Sequence, residues 1–440
     1  MATISATARQ SDERLVRAIG APTLTASIVN MTIGAGIFVL PALVAGGLGP
    51  SAPIGYVICG ALMGLIVACF AAAGSRVSLT GGLYAYIEVA FGPFVGFLSG
   101  VLFWLMASFA VASVASAFAG SMGALVPPLD GPVARGIIIA FLFTLLAVVN
   151  VRGVRAGAWL IRVVTAAKLL PLAIFVAAGI WFVTPSNLVW PGLPGLSSIG
   201  QTCIVLIFAF AGVEVALVPT GEVVNPTRTV PIAVFSALAV TTSFYLLIQT
   251  TAQGLLGATL ATFATAPLAE AAARVMGSFG RALMLLGATV SMFGYASGDM
   301  LGTPRLLYAF GRDGLLPEPL ARIHPARRTP HVAIALHAII VSVLAISSSF
   351  ARLAILANVA ALSLYGTCVA ASIELQRRDV RDAAGSPPLR LPGGPAIPVL
   401  ALIVIVWLLS NATRREFGIE AAVLGLAAAF YFSRRSGRPA

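Results

Sequence analysis

The chain has 440 residues, of which 59% are hydrophobic and only 10% are charged, and its mean hydropathy is +0.99. Soluble domains carry about 25% charged residues, so this composition excludes a water-soluble globular protein and indicates a chain embedded in a lipid bilayer. The formal net charge is +12. The basic residues stand in short gaps between apolar stretches, which is typical of membrane topology and not of a nucleic-acid partner.

A helix that crosses the bilayer needs about 20 mainly apolar residues, and this rule predicts an all-α polytopic membrane protein with twelve transmembrane helices. The predicted spans are residues 23–44, 53–74, 84–118, 132–150, 157–183, 199–219, 230–256, 280–300, 331–348, 353–374, 396–411 and 417–433. The third is long enough to be strongly tilted or to extend beyond the membrane. Residues 1–22 are polar and basic, and no cleavable signal peptide is expected there.

The charges of the loops give the orientation, because cytoplasmic loops of membrane proteins collect lysine and arginine. With the amino terminus in the cytoplasm, 20 arginines fall on the cytoplasmic side and 6 on the opposite side. Both termini are therefore predicted to be cytoplasmic. The chain has 26 arginines and one lysine, a bias typical of GC-rich bacterial genomes. We therefore expect a multi-pass protein of a bacterial cytoplasmic (inner) membrane.

Two predicted spans contain glycines that can interrupt a helix: Gly34 and Gly36 within residues 31–38, and Gly212 within residues 208–214. Glycine removes the side-chain barrier to non-helical backbone, so both helices are expected to unwind at mid-membrane depth. Free amides at the start of a half-helix suit a carboxylate, free carbonyls suit an ammonium, and a zwitterionic α-amino acid has both groups. Small residues also mediate helix packing alone, so the glycines by themselves leave that alternative open.

The interruptions lie in the first and sixth of ten spans, where an inverted repeat of five plus five helices would place them. The predicted organisation is a cytoplasmic segment at 1–22, a first five-helix repeat at 23–183, a second at 199–374, helices 11 and 12 at 396–433, and a cytoplasmic tail at 434–440. The repeat is inferred from the order of the spans alone, because the two halves share no convincing residue-level identity.

Charged side chains inside the spans are the first candidates for function. Lys168, the only lysine, lies near the middle of the fifth predicted span, where a lysine costs about 2.5–3.5 kcal/mol on translocon scales. It must therefore find acceptors, either as a titratable group or fixed cation in place of a metal ion, or in a structural ion pair with Asp299 or Glu214. Asp299, in the eighth span, either lines the substrate cavity or pairs with another side chain.

Enzymatic chemistry needs convergent nucleophiles, acids or metal ligands. The histidines do not supply them, because His324 and His331 lie in or beside an arginine-rich loop and His337 stands alone in an apolar helix. No phosphate-binding loop ending in Gly-Lys-Ser/Thr occurs, so ATP-driven transport is unsupported. The four cysteines lie inside apolar stretches, where we expect small buried hydrophobic side chains and no disulfide framework. The prediction is a non-enzyme with no cofactor and no bound metal.

Four motifs occur in order on the predicted spans. They are residues 34–38 (GAGIF) with Pro41, residues 80–86 (TGGLYAY), residues 210–214 (FAGVE) followed by 222–228 (EVVNPTR), and residues 304–317 (PRLLYAFGRDGLLP). In these motifs the chain, from about residue 20 to its end, resembles the amino acid–polyamine–organocation transporters. The resemblance implies their fold, with unwound helices 1 and 6 and two extra helices after the repeat.

For the substrate site, the resemblance implies contacts with the backbone. In similar transporters the substrate carboxylate meets amides of the glycine motif, and the α-ammonium meets carbonyls beside the two breaks. The corresponding amides are those of Ala35, Gly36 and Ile37, and the corresponding carbonyls are those of Thr32 or Ile33, Phe208 and Ala211. Phe208 also matches an aromatic position that closes over the substrate from outside, with ordinary aromatic packing as the alternative.

Lys168 matches a lysine in the fifth span of proton-dependent and sodium-independent members, where it takes the place of a sodium ion and bridges the first and eighth spans. Exchangers carry it too, so it argues against sodium dependence more firmly than for proton symport. Asp299 aligns with a position that is often large or aromatic, and it would suit a polar or cationic substrate side chain. Ala107 and Val111 are small and neutral and favour small or apolar substrates.

The leading hypothesis is a sodium-independent secondary transporter of amino acids that works by alternating access and is proton-coupled or exchanging. The alternatives are a polyamine or organic-cation antiporter of the same fold, a channel, and a membrane enzyme. The expected partners are the amino acid substrate, protons and the lipid bilayer. No nucleic acid is expected, and no feature indicates an accessory subunit.

Overall fold

The computed structural model describes residues 18–77, 79, 81–152, 158–217, 222–381 and 387–435. Within these ranges the regular structure is helical, apart from one isolated β-bridge between Ile19 and Val223. The first eight α-helices are α1 (Ala21–Thr32), α2 (Leu40–Leu48), α3 (Ala52–Gly74), α4 (Leu83–Phe91), α5 (Pro93–Leu125), α6 (Pro132–Arg152), α7 (Ala158–Gly179) and α8 (Leu196–Phe210). They are followed by α9 (Val213–Ala216), α10 (Pro226–Leu256), α11 (Pro267–Gly302), α12 (Pro304–Arg312), α13 (His331–Ser347), α14 (Phe350–Arg377), α15 (Ala396–Leu409) and α16 (Arg414–Arg435).

Eight helical segments in the described ranges are long and apolar enough to cross a membrane. They are Leu40–Gly74, Pro93–Leu125, Pro132–Arg152, Leu196–Ala216, Pro226–Thr262, Pro267–Arg312, Phe350–Arg377 and Arg414–Ser433. Three shorter apolar segments accompany them: Ala167–Phe182, His331–Ser347 and Ala396–Leu409. The prediction of an all-helical, multi-pass membrane protein is therefore confirmed, and the number of twelve spans stays a prediction.

The long third predicted span, residues 84–118, consists of two helices. α4 ends at Phe91 and α5 begins at Pro93, and Gly92 between them has a φ of 88°. Proline has no amide hydrogen with which to continue the hydrogen bonds of α4, and glycine adopts this φ without strain. The prediction of a single helix over residues 84–118 is therefore wrong, whereas tilt or extension of α5, which has 33 residues, stays a prediction.

The eighth predicted span, residues 280–300, belongs to the longer helix α11, which bends at Gly277 with a φ of 60°. α11 packs closely on α7, since a Cβ added to Gly287 would lie 2.8 Å from Cγ of Pro171. Small residues at such contacts let two membrane helices approach each other. This contact holds the part of α7 that carries Lys168 beside α11.

The core places α10 against both α1 and α3, and α14 against α5. Aromatic rings fill the space around α10: the ring of Tyr245 meets those of Tyr56 and Phe210 at centroid distances of 5.9 and 5.6 Å, both edge to face. All four cysteines are buried free thiols. Both glycine-containing helices of the sequence therefore meet at α10, which determines the geometry of the candidate site.

Arg76 ties the end of α3 to the connection between α14 and α15. Its Nη1 donates a hydrogen bond to the Val380 carbonyl at 3.0 Å and lies 3.8 Å from Oδ1 of Asp379. Burial lowers the pKa of the Arg76 guanidinium, and Asp379 opposes that change. The Leu389 amide donates to the Ser75 hydroxyl at 3.0 Å, so two adjacent residues fix this long connection.

The residues before α1 pair with the chain that follows α9. The amides of Ala18 and Ile19 both donate to the Glu222 carbonyl at 3.0 Å, and the Val224 amide donates to the Ile19 carbonyl at 3.0 Å. These hydrogen bonds join the start of the first helix to the segment that leads into α10. Most of the predicted segment 1–22, Thr80 of the second motif and residues 436–440 lie outside the described residues.

Candidate substrate site

The first break separates α1 from α2. α1 ends at Thr32, Ile33 has a ψ of 82°, and a 3-10 turn at Gly36–Phe38 precedes α2. The Gly34 amide turns back and donates to the Thr32 carbonyl at 2.8 Å. A Cβ added to Gly34 would approach nothing closer than 3.9 Å, and its φ lies outside the left-handed region. Neither strain nor protein packing therefore requires glycine at this position.

Three consecutive amides in the first break have no partner. Among the described residues, the amides of Ala35, Gly36 and Ile37 donate no hydrogen bond, although all three residues are buried. Leaving a buried amide unpaired is costly, so such groups are normally satisfied by protein, water or a ligand. Adjacent amides at the start of a helical turn suit an anion such as a carboxylate.

The second break follows α8. Ala211 is extended, with a ψ of 149°, and Gly212 has a φ of 123° before the short helix α9 begins. The Gly212 amide donates to Oε1 of Glu214 at 2.9 Å, and the Tyr365 hydroxyl donates to Oε2 at 2.9 Å. The Glu214 carboxylate therefore caps an amide that the break releases, and both of its oxygens are engaged.

The two breaks touch each other at Gly212. A Cβ added there would lie 2.8 Å from both the carbonyl carbon and the carbonyl oxygen of Met31, and 3.0 Å from the amide nitrogen of Thr32. Three carbonyls beside this contact accept no hydrogen bond from any residue that the structure describes. They are those of Ile33, Phe208 and Ala211. Unpaired carbonyls in both breaks suit an ammonium group.

Tyr245 of α10 connects the two breaks, a role that the sequence did not indicate. Its hydroxyl lies 2.9 Å from the Thr32 carbonyl oxygen and 2.8 Å from the Ala209 carbonyl oxygen, and it donates its single proton to one of them at a time. The Thr32 carbonyl also accepts from Gly34. Of the two carbonyls considered for the first break, only that of Ile33 is without a described partner. The sequence feature that could have pointed to Tyr245 is that a tyrosine buried in an apolar span needs a hydrogen-bond partner for its hydroxyl.

Tyr245→Phe is expected to weaken transport without loss of protein. The change removes only the hydroxyl; the Ala209 carbonyl loses this donor and the Thr32 carbonyl keeps only the Gly34 amide, a loss that costs about 1–3 kcal/mol. We therefore expect uptake of a labelled amino acid by proteoliposomes to fall on the order of 10-fold. The control is Tyr431→Phe, at a buried tyrosine on α16, for which uptake should be unchanged. Equal uptake by the Tyr245→Phe and Tyr431→Phe proteins would contradict this role.

The ring of Phe208 covers the first break. A Cβ added to Gly36 would lie 3.0 Å from Cδ1 of Phe208, and the same ring packs edge to face against Phe350 at a centroid distance of 5.5 Å. Ala107 and Val111, which the resemblance places near the substrate, are buried on α5. The aromatic ring thus lies directly over residues whose amides are unpaired.

Lys168 is bonded to the first helix. Its Nζ donates to the Asn30 carbonyl, in the last turn of α1, and the residue is buried. Within the described ranges Lys168 forms no ion pair and no hydrogen bond to α11. The alternative in which Lys168 forms an ion pair with Asp299 or Glu214 is therefore wrong. The partner is a backbone carbonyl, which no sequence pattern reveals.

The Asp299 carboxylate contacts two neighbouring side chains, those of Thr303 and His337. The Thr303 hydroxyl donates to Oδ1 at 2.6 Å, and Nε2 of His337 on α13 lies 2.9 Å from Oδ2. The Asp299 side chain is 6% exposed and that of His337 is fully buried. Both carboxylate oxygens already contact protein side chains, so in this structure the partners of Asp299 are Thr303 and His337. His337, expected to be an isolated packing residue, is instead an acid's partner.

A family model described as amino acid permease matches residues 19–415. The chain belongs to this family. The match includes both breaks and Lys168, and it confirms the resemblance to the amino acid–polyamine–organocation transporters. Membership makes the protein a membrane permease and supports the prediction that it is not an enzyme.

Three relatives of the permease show how far the likeness extends. A methylthioribose transporter of Bacillus subtilis is 27% identical over 449 residues, covering 97% of this chain and 96% of the relative. A serine/threonine exchanger of the same species is 30% identical over 336 residues, covering 73% and 75%. A branched-chain amino acid permease, also from that species, is 25% identical over 454 residues, covering 98% and 96%. All three names denote transport, but their substrates differ.

Proposed function

We propose that the permease is a sodium-independent secondary transporter of amino acids that works by alternating access and is driven by protons or by exchange. The observation that carries the proposal is the contact of two broken helices at Gly212. Among the described residues, the first break has unpaired amides, and both breaks have unpaired carbonyls. Those groups complement a zwitterion, which has a carboxylate and an ammonium on one carbon. The cytoplasmic membrane is the proposed location, with both termini in the cytoplasm.

In this proposal the substrate binds mainly to backbone. The amides of Ala35, Gly36 and Ile37 receive its carboxylate, and the carbonyls of Ile33, Phe208 and Ala211 receive its α-ammonium. Because these contacts involve no side-chain chemistry, they select the α-amino acid head group and leave the substrate side chain to the surrounding cavity. Phe208, over Gly36, closes the site, and rocking of a four-helix bundle against the rest of the protein opens it to either side.

The substrate side chain that fits best is small and neutral. Ala107 and Val111 contribute no charge. Asp299, the residue expected to bind a cationic substrate side chain, is instead in contact with Thr303 and His337. These contacts speak against the polyamine and organic-cation alternative. A serine/threonine exchanger and a branched-chain amino acid permease among the relatives agree with a neutral substrate.

Transport by purified permease in proteoliposomes tests the proposal. Labelled serine, threonine, alanine, valine and leucine are compared with arginine, putrescine and methylthioribose, in sodium-free buffer, with and without a proton gradient or internal amino acid. We expect saturable uptake of at least one neutral amino acid that does not require sodium. Uptake of methylthioribose or putrescine alone would contradict the substrate class, and non-saturating currents would indicate a channel.

A further inference from the structure

A buried acid and a buried base face each other on the second half of the permease, apart from the proposed substrate contacts. Asp299 on α11 and His337 on α13 are joined by the 2.9 Å contact between Oδ2 and Nε2, and their side chains are 6% and 0% exposed. Thr303 holds the other carboxylate oxygen at 2.6 Å. Charged side chains at membrane depth are costly, so a buried acid–base pair calls for a functional explanation.

The second imidazole nitrogen has no partner. Nδ1 of His337 and Nε1 of Trp104 are both buried and make no hydrogen bond to any described residue. The two rings are neighbours, with centroids 6.4 Å apart in an edge-to-face arrangement. Since Nε2 is engaged by Asp299, Nδ1 is the nitrogen at which His337 can gain or lose a proton.

The charge of the pair depends on that proton. With an ionised carboxylate and a neutral imidazole, the pair carries one negative charge in a region of low dielectric. One added proton, on Nδ1 or on the carboxylate, makes the pair neutral overall, whether it is written as imidazolium and carboxylate or as imidazole and carboxylic acid. A proton is thus the cation that matches this site in charge and size.

The pair is connected to the first break through α11. Tyr295 lies four residues before Asp299, and residues at this spacing are neighbours on one helix face. A ring atom of Tyr295, Cδ2, lies 4.0 Å from where a Cβ of Gly34 would stand. Tyr295 thus lies against the first break, one helical turn from Asp299.

Other ionisable groups on the packed helices are few. Among the described side chains, α5 has none. α6 has Arg135 and Arg152 at its ends, α7 has Lys168, and α10 has Arg228 and Tyr245. α11 adds Glu270, Arg274, Arg281 and Tyr295, and α12 has Arg305, Tyr308 and Arg312. The 3-10 turn Glu318–Ala321 has Glu318, α13 adds His331, and α14 has Arg352, Tyr365, Cys368, Glu374 and Arg377. In that part of the chain, no other charged side chain forms an ion pair with Asp299 or His337.

We propose that Asp299 and His337 form a proton-binding site within the membrane, distinct from Lys168, whose occupancy sets the pH dependence of transport. The proton enters at Nδ1 of His337 and is shared with Asp299 through Nε2. No redox step or other co-reactant is involved. The effect on transport rests on the proposed function, whereas proton binding by the pair does not.

Proton binding is measured directly on the purified permease by NMR of ¹⁵N-labelled histidine. The chain has three histidines, so the His337 signal is identified by its loss in His337→Gln, or by elimination with His324→Gln and His331→Gln if the first variant does not fold. Spectra are recorded from about pH 5 to about pH 9, and we expect Nδ1 of His337 to gain a proton as the pH is lowered. In Asp299→Asn this titration should shift by about one pH unit or more. An imidazole that keeps one protonation state across that range, or a titration unaffected by Asp299→Asn, overturns the proposal.

Transport gives the second measurement. Initial uptake is recorded against pH for wild type, His337→Gln, Asp299→Asn and the control Ser297→Ala. Ser297 is half-buried on the same helix, and its hydroxyl donates to the Phe293 carbonyl. We expect the pH profile of both pair variants to flatten or shift by about one pH unit, and that of Ser297→Ala to match wild type. Identical profiles in all four proteins overturn the proposal while the amino acid transport function stands. If wild type transports no amino acid, the NMR titration still decides whether the pair binds protons.

Discussion

Gly212→Ala is expected to yield a permease that folds poorly and does not transport. Gly212 has a φ of 123°, and a non-glycine residue in such a conformation costs about 1–3 kcal/mol. The added Cβ would also stand 2.8 Å from the Met31 carbonyl, and the backbone of α1 must move to relieve this contact. Because the same atoms bring the two breaks together, the substitution separates them.

The measurement is the thermal stability of detergent-purified protein together with uptake in proteoliposomes. Gly298→Ala is the matched control, since a Cβ there meets nothing within 4 Å, and its stability and uptake should equal those of wild type. Gly34→Ala makes a second comparison, because its Cβ meets nothing closer than 3.9 Å. The Gly34→Ala protein should keep wild-type stability but lose uptake, because the added Cβ would stand beside the backbone groups proposed to bind the substrate. A stable, active Gly212→Ala protein would show that the contact between the breaks is dispensable.

Lys168→Met is expected to reduce amino acid uptake by about 10-fold to 100-fold. Methionine keeps the length of the side chain but cannot donate to the Asn30 carbonyl, and a hydrogen bond from a charged donor contributes about 1.5–3 kcal/mol. The loss falls on the link between α7 and α1, immediately before the first break. Protein yield should not fall, because removal of a buried charge also removes its desolvation cost.

Lys168→Arg and Leu170→Ala serve as controls for this variant. Arginine keeps a positive donor, so Lys168→Arg should retain more uptake than Lys168→Met. Leu170 lies on the same helix and is 59% exposed, and its replacement should leave uptake unchanged. Unchanged uptake by Lys168→Met would show that transport does not depend on the hydrogen bond between Lys168 and the Asn30 carbonyl.

The sequence predicted what depends on local backbone chemistry. Gly34, Gly36 and Gly212 fall where the structure leaves the α-helical conformation, and at Gly212 the missing Cβ permits the positive φ. Apolar length likewise predicted membrane helices. The same rule failed at Gly92 and Pro93, where two apolar helices follow each other without a polar gap, so that hydropathy alone could not separate them.

What the sequence could not supply are contacts between distant segments. Asp299 and His337 are separated by an arginine-rich loop, and nothing local to either residue indicates the other. Tyr245 acts through two carbonyl oxygens, and Lys168 acts through a third. Every residue has a carbonyl, so a partner of this kind leaves no trace in residue identity. Only the packing of α7, α10 and α13 determines which carbonyl or side chain each of them meets.

The pairing of Ile19 with Glu222 and Val224 has a mechanical consequence. The start of α1 and the chain after α9 share backbone hydrogen bonds, so we expect the corresponding ends of the two interrupted helices to move together. Spin labels at positions 20 and 222 would therefore keep a constant separation throughout a transport cycle. This pair of labels provides a fixed reference distance, with which the distances from labels on other helices can be compared.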